Sequence, residues 1–270
     1  MIILPLGPKM NKLGKSLVTI SNNKWEMHDT KSFIPHMNSH KEYNDLDLDV
    51  PEEILKGDKI TILVNAGTDI SGVTLKLAEK LVDSELYLIY CRRNPDGMIP
   101  KSKQIEQLTF GVLKEYARSG KFSKMIIYDP EIVWQNCLPD TGLMDYENNV
   151  ARMVAYYFYL LHYLPGQDTV TESFGGSYNT ARIGTFAQKR LDSTSLRMFY
   201  DLGDAIEINS YYYLSENTLK NNKDVLGNIK AFSKENNKQQ IANSYKVYLS
   251  PHDEDLVMCL VSSNNPQKVK

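Results

Sequence analysis

Between Lys56 and Glu131 the chain alternates strand and helix so regularly that few folds can accommodate it. Lys59–Asn65 is a short β-branched apolar run, the mark of a strand buried on both faces. Ala66-Gly67-Thr68-Asp69-Ile70-Ser71-Gly72 turns out of it into an amphipathic helix, Val73–Asp83. A second buried strand (Ser84–Tyr90), a second helix (Gln104–Ser119) and a third strand (Lys124–Tyr128, ending on Asp129) follow. Strands alternating with helices of about 10–15 residues imply a parallel sheet with helices on its faces. In such sheets ligands sit outside the carboxyl ends of strands, where Gly67–Gly72 falls.

The flanks extend this pattern. Met1–Gly7 reads as an opening strand running into a glycine turn, and Lys15–Met27 as strand-like, with Val18 and Ile20 on one face. His28–Val50 is polar and irregular, a loop with a short helix. Pro51–Lys56 is a short helix with proline and acids at its start. Pro130–Gly142 reads as a loop carrying Trp134. Asp145–Leu164 is the most conspicuous helix, and its broad apolar surface (Val150, Val154, Tyr157, Leu161) suits a helix covered on more than one side, between two lobes. Pro165-Gly166 ends it, and the polar link Gln167–Tyr178, with Gly175-Gly176, is the expected domain boundary. Beyond it, Ala181–Ala187 and Ala205–Leu214 read as strands and Leu219–Glu235 as one helix. The alternation of Tyr245, Val247 and Leu249, then of Leu256, Met258 and Leu260 across Pro251–Glu254, predicts a hairpin. Asn264–Lys270 is expected to fray. The expected fold is α/β: a three-layer parallel-sheet lobe with a long central helix over residues 1–164, then a smaller α+β lobe over residues 165–270.

Composition excludes several functions. A formal charge of −2 advertises neither nucleic acid nor membrane. Three scattered cysteines make no disulfide framework, which favours a reducing compartment. No apolar run approaches the length of a membrane span and the N-terminus is unlike a signal peptide, so a cytoplasmic protein is expected. The abundance of Lys, Asn, Ile and Tyr suits an AT-rich coding genome such as a phage's.

An α/β lobe, a long apolar helix and a smaller mixed lobe, in that order, form a recognisable arrangement. Glu52-Glu53-Ile54-Leu55-Lys56-Gly57-Asp58 leads into a strand that ends Asn65-Ala66-Gly67, and the next strand ends near Cys91-Arg92-Arg93-Asn94-Pro95. From Pro51 onward this resembles the tubulin/FtsZ superfamily, as a divergent member of phage or plasmid type. The resemblance implies GTP as the cofactor to consider. Gly67, Thr68, Ser71 and Gly72 would stand for the glycine-rich phosphate loop, with Gly7 and Asn11 for the opening nucleotide motif. Both are degenerate: Asp69 sits among the glycine positions, and Pro8 follows Gly7 without an amide donor. In the family, acids after the central helix reach the neighbour's nucleotide across a subunit interface. Asp168 and Glu172 lie in that segment and are the candidate catalytic residues, though not at the family's spacing. The resemblance therefore implies a head-to-tail self-associating protein with weak or lost GTP binding and hydrolysis, host-cytoplasmic if viral. A nucleotide-free structural subunit of a larger viral assembly, partnered by other assembly proteins, and a small-molecule enzyme on a doubly wound sheet are the alternatives.

Other motifs carry less. Gly14-Lys15-Ser16 lacks the glycine a phosphate loop needs at Lys9. His36 and His40, four apart, are expected in solvent, with no metal bound. Lys12, Lys15, Arg92 and Arg93 are expected as surface bases near the mouth of the sheet.

Overall fold

The computed structural model describes residues 1–173 and 181–264. It opens with strand β1 (Ile2–Leu6), helix α1 (Pro8–Ile20), strand β2 (Glu26–Met27) and two short helices, α2 (His40–Asp45) and α3 (Glu52–Leu55). The alternating series is β3 (Lys59–Asn65), α4 (Val73–Lys80), β4 (Glu85–Cys91), α5 (Pro100–Arg118), β5 (Lys124–Tyr128), α6 (Pro130–Cys137) and α7 (Tyr146–Tyr163). There follow β6 (Thr171–Glu172), β7 (Ile183–Lys189), β8 (Leu196–Met198), β9 (Glu207–Leu214), α8 (Glu216–Asn221), α9 (Val225–Lys238), β10 (Ala242–Leu249) and β11 (Leu256–Ser263).

These strands make one sheet, ordered β2-β1-β3-β4-β5-β7-β11-β9-β10-β6, with β8 paired to β7 off that path. β1, β3, β4 and β5 are parallel neighbours, as the alternation predicts. They are buried on both faces because successive side chains enter opposite cores. Leu4, Ile62, Val64 and Tyr90 pack on one side of the sheet; Ile3, Leu63, Ile89 and Ile126 pack on the other. The result is a three-layer α/β arrangement. β5 continues in parallel to β7, beyond which antiparallel pairs join β7, β11 and β9. Helix α7 covers both parts: Phe158 meets Tyr87 of β4 edge-on at 6.0 Å, and Tyr157 meets Phe186 of β7 at 5.8 Å.

Four sequence expectations are corrected. Lys15–Met27 is a strand only at β2 (Glu26–Met27), because Lys15–Ile20 is the end of α1, whose buried residues Met10, Leu13, Gly14 and Leu17 recur at helical spacing. The helix begins at Pro8, where a missing amide costs nothing. Pro130–Gly142 is helical in its first part. Asp129 caps α6 by accepting from the Glu131 amide at 2.8 Å, and the Trp134 Nε1 closes the rest by donating to the Thr141 carbonyl. Leu219–Glu235 divides into α8, capped by Ser215, and α9, which alone carries Val225, Ile229 and Phe232.

The C-terminal hairpin does not form, since β9 lies between β10 and β11. The Ser250 amide donates to the Leu214 carbonyl at 2.7 Å, and Asp255 accepts from the Ser215 amide and the Thr218 hydroxyl. These bonds carry the connection over the end of β9. Strand β11, buried from Val257 to Ser263, then gains a neighbour on each side. The residues Gly175, Gly176 and Tyr178 of the expected boundary, and most of the expected C-terminal tail, lie outside the described residues.

Candidate functional site

A cavity of about 730 Å³ opens at the carboxyl ends of β1 and β3. Gly7, with φ 87°, makes the turn from β1 into α1 at its rim. Of the residues singled out in the sequence, Gly7, Asn11 and Thr68 line it. The lining also has an apolar part, built from Leu6, Ile34, Met37 and Ile70. Lys9 and Lys31 supply positive charge and Asp29 and Asp69 negative charge.

Gly67, Ser71 and Gly72 do not line this cavity. Gly67 adopts φ 70°, and a Cβ on it would stand 2.8 Å from the Ser102 carbonyl oxygen of α5. A Cβ on Gly72 would stand 2.6 Å from the His40 carbonyl oxygen of α2. Ser71 is fully buried and donates to the Thr68 carbonyl at 2.7 Å. The glycines that would let a backbone close around phosphate here let two helices close on the loop. Gly72→Ala is therefore expected to cost about 1–3 kcal/mol by overpacking, read as a lower urea midpoint with an unchanged slope.

Asp69 holds this closure. Its carboxylate accepts from the His40 amide at 2.9 Å, at the start of α2, and from the Lys101 Nζ at 2.9 Å. The expectation that His40 stands in solvent is corrected: its Nε2 lies 2.9 Å from the Thr109 Oγ1, and Thr109 lies 3.5 Å from the Ser71 Oγ. Burial of His40 pushes its pKa below 6.5, opposed by the nearby Asp69 carboxylate. The contact was not legible in the sequence because His40 and Thr109 come from separate elements with no shared motif.

Two further residues depart from the sequence reading. Arg92, expected as a surface base, is buried against Glu106; Arg93 is exposed, beside a smaller hollow with Lys9, Lys12 and Tyr146. Asn65, not singled out, ends β3 and lines both hollows while only 8% exposed. Among the described residues its side-chain amide has no hydrogen-bond partner.

Asp168 and Glu172 lie elsewhere. Asp168 is exposed in the segment after α7. Glu172 belongs to β6, at the sheet edge opposite β2, where it meets the Lys246 Nζ at 3.6 Å. Within one chain the cavity residues and these acids therefore sit toward opposite edges of the sheet.

This combination of a parallel sheet, a long helix α7 and a mixed antiparallel extension is the tubulin/FtsZ-like fold. FtsZ from M. jannaschii, solved as an empty dimer, matches 97% of this chain over 88% of its own, with TM-score 0.65 and 11% identity. The type III plasmid segregation protein TubZ matches 96% of the chain over 86% of its own, at TM-score 0.65 and 10% identity. CetZ2 from Haloferax volcanii, solved as a GTPγS-bound protofilament, matches 97% over 92%, at TM-score 0.60 and 12% identity. No protein-family model matches the chain, and no curated protein matches it by sequence.

Proposed function

We propose that this chain is a tubulin/FtsZ-like self-associating protein that assembles head to tail, with GTP binding and hydrolysis weak or lost. The observation that carries the proposal is the phosphate-type loop of this fold closed by the protein's own α2 and α5 at Gly72 and Gly67. The same closure favours, as a second reading, a nucleotide-free structural subunit of a viral assembly. Within the proposal, residues 1–164 form the nucleotide-binding-type domain and residues 165–270 the smaller one. Gly7, Asn11 and Thr68 are the residual cofactor-side groups, and Asp168 and Glu172 reach the next subunit. Among the described residues no helix is long and apolar enough to cross a membrane. A cytoplasmic place, the host's if the source is viral, fits the reading.

A heterologous contact of this kind continues into a filament unless its rotation closes. The advancing surface would include Asp168 and Val170, the latter 55% exposed. The receiving surface would be the cavity rim at Lys9; Gly72 is too buried to test it. Single rim charges contribute little, so Asp168→Arg is combined with Val170→Arg. Sedimentation is expected to show concentration-dependent oligomers for the wild type and a shift toward monomer for the double variant. Monomer alone at high protein concentration, with and without GTP, would refute self-association.

A further inference from the structure

We infer that the cavity beside Asn65 binds a small amphipathic acid, an apolar or planar body bearing a single phosphate or sulfonate group, and rejects a triphosphate. The inference deepens the preceding reading and rests on one part of it, the closed phosphate-type loop; it does not rest on self-association.

The first observation is Asn65. A mostly buried polar side chain needs a hydrogen-bond partner, from protein, water or ligand. Asn65 is 8% exposed, lines the cavity from the end of β3, and offers two donors and an acceptor with no protein partner among the described residues. Such an amide is an anchor for a ligand's carbonyl, ring nitrogen or hydroxyl.

The second is the mixed lining. It includes Lys9 and Asn11, in the first turn of the 13-residue helix α1. The dipole there and the Lys9 ammonium favour one anionic group. Leu6, Ile34, Met37 and Ile70 add apolar surface suited to a ring or a short aliphatic body. The volume of about 730 Å³ lies in the range of small-molecule sites.

The third observation limits the ligand's charge. A triphosphate chain needs a succession of backbone amides along the loop after β3. At Gly67 and Gly72 the Cα face of that loop is already packed by the Ser102 and His40 carbonyls, which lie 2.8 and 2.6 Å from where Cβ atoms would be, leaving no room there for a chain of phosphates. The lining's two cations, Lys9 and Lys31, are matched by Asp29 and Asp69, so it holds no excess positive charge for three phosphates. One anionic group is accommodated; three are not.

The test is calorimetric titration of the full chain, at concentrations where it is monomeric, with GMP, anilinonaphthalene sulfonate and GTP. At least one of the two probes that carry a single acidic group is expected to bind, about tenfold or more tighter than GTP. Binding of GMP identifies a nucleoside monophosphate as the natural type, whereas binding of the sulfonate alone identifies a non-nucleotide acid; both support the inference. Asn65→Leu is expected to weaken the binding probe roughly tenfold, the size of one lost buried hydrogen bond. Lys9→Glu, an exposed change that should leave folding intact, is expected to weaken it as well. No binding of either probe, equal binding by Lys9→Glu, or tighter binding of GTP would overturn the inference. Because binding is measured on monomer, its failure leaves the assembly test standing, and failure of assembly leaves this one standing.

Discussion

Removing either partner of the Arg92–Glu106 pair alone is expected to cost about 3–5 kcal/mol of stability, because it strands a buried charge. The Arg92 Nε donates to the Glu106 Oε1 at 2.7 Å, with the side chains 3% and 0% exposed. The guanidinium carbon lies 3.9 Å from the centre of the Phe110 ring, and Nη1 donates to the Tyr200 hydroxyl. A typical domain is stable by about 5–15 kcal/mol, so such a loss would be a large part of the whole. The double change Arg92→Met with Glu106→Leu is expected to recover most of the loss, since an apolar pair of similar volume needs no compensating charge. Urea unfolding of the two single variants and the double checks this; purely additive single losses would show that the two side chains do not act as a unit. The pair also holds α5 on the sheet. Its loosening should therefore expose the Gly67 loop, where Ser102 of the same helix makes its close approach.

The parallel strands were legible in the sequence because each is a short apolar run between turn signals, buried on both faces. The closure of the loop was not. It depends on α2 and α5 meeting over Gly72 and Gly67, and glycine in a sequence does not say whether ligand or protein comes close to it. Arg92 and Arg93 show the same limit: adjacent and chemically identical, one is buried with a carboxylate and the other faces the hollow. The missed α1 has a local cause. Its pattern starts at Pro8, and a window beginning at Lys15 catches only its last turns, where Val18 and Ile20 happen to alternate. The missed order of β10, β9 and β11 has a non-local cause, the Asp255 and Ser250 bonds to the end of β9. Asn65 was hidden by its place: at the end of an apolar strand it reads as a boundary, and its lack of a partner is visible only once the walls around it are in place.

Acidification from pH 7 to pH 4 is expected to remove about 3 kcal/mol through His162 alone. Its ring is wedged between Tyr87 at 4.5 Å and Phe158 at 4.7 Å, with Trp25 at 5.7 Å. Its Nε2 is buried without a hydrogen-bond partner among the described residues. Burial, helped by the Lys59 ammonium and opposed by the Glu85 carboxylate, pushes its pKa down from 6.5 to about 4. With the folded pKa depressed, the unfolded chain binds the extra proton first. The stabilisation is therefore complete above about pH 6.5, falls as pH drops toward 4, and is exhausted below it. At 1.36 kcal/mol for each tenfold change in proton affinity, that interval corresponds to about 3 kcal/mol. His162→Phe keeps the ring contacts and removes the titration. The gap between variant and wild type in urea stability should therefore widen as pH falls from about 6.5 to 4, even though carboxylates titrating in both proteins lower each curve. Parallel curves across that range would show that His162 is protonated in the fold without cost. The position makes the outcome more than local: His162 lies on α7, the helix that covers both halves of the sheet, against Tyr87 of β4. A proton there is expected to loosen the contact between α7 and the parallel strands first.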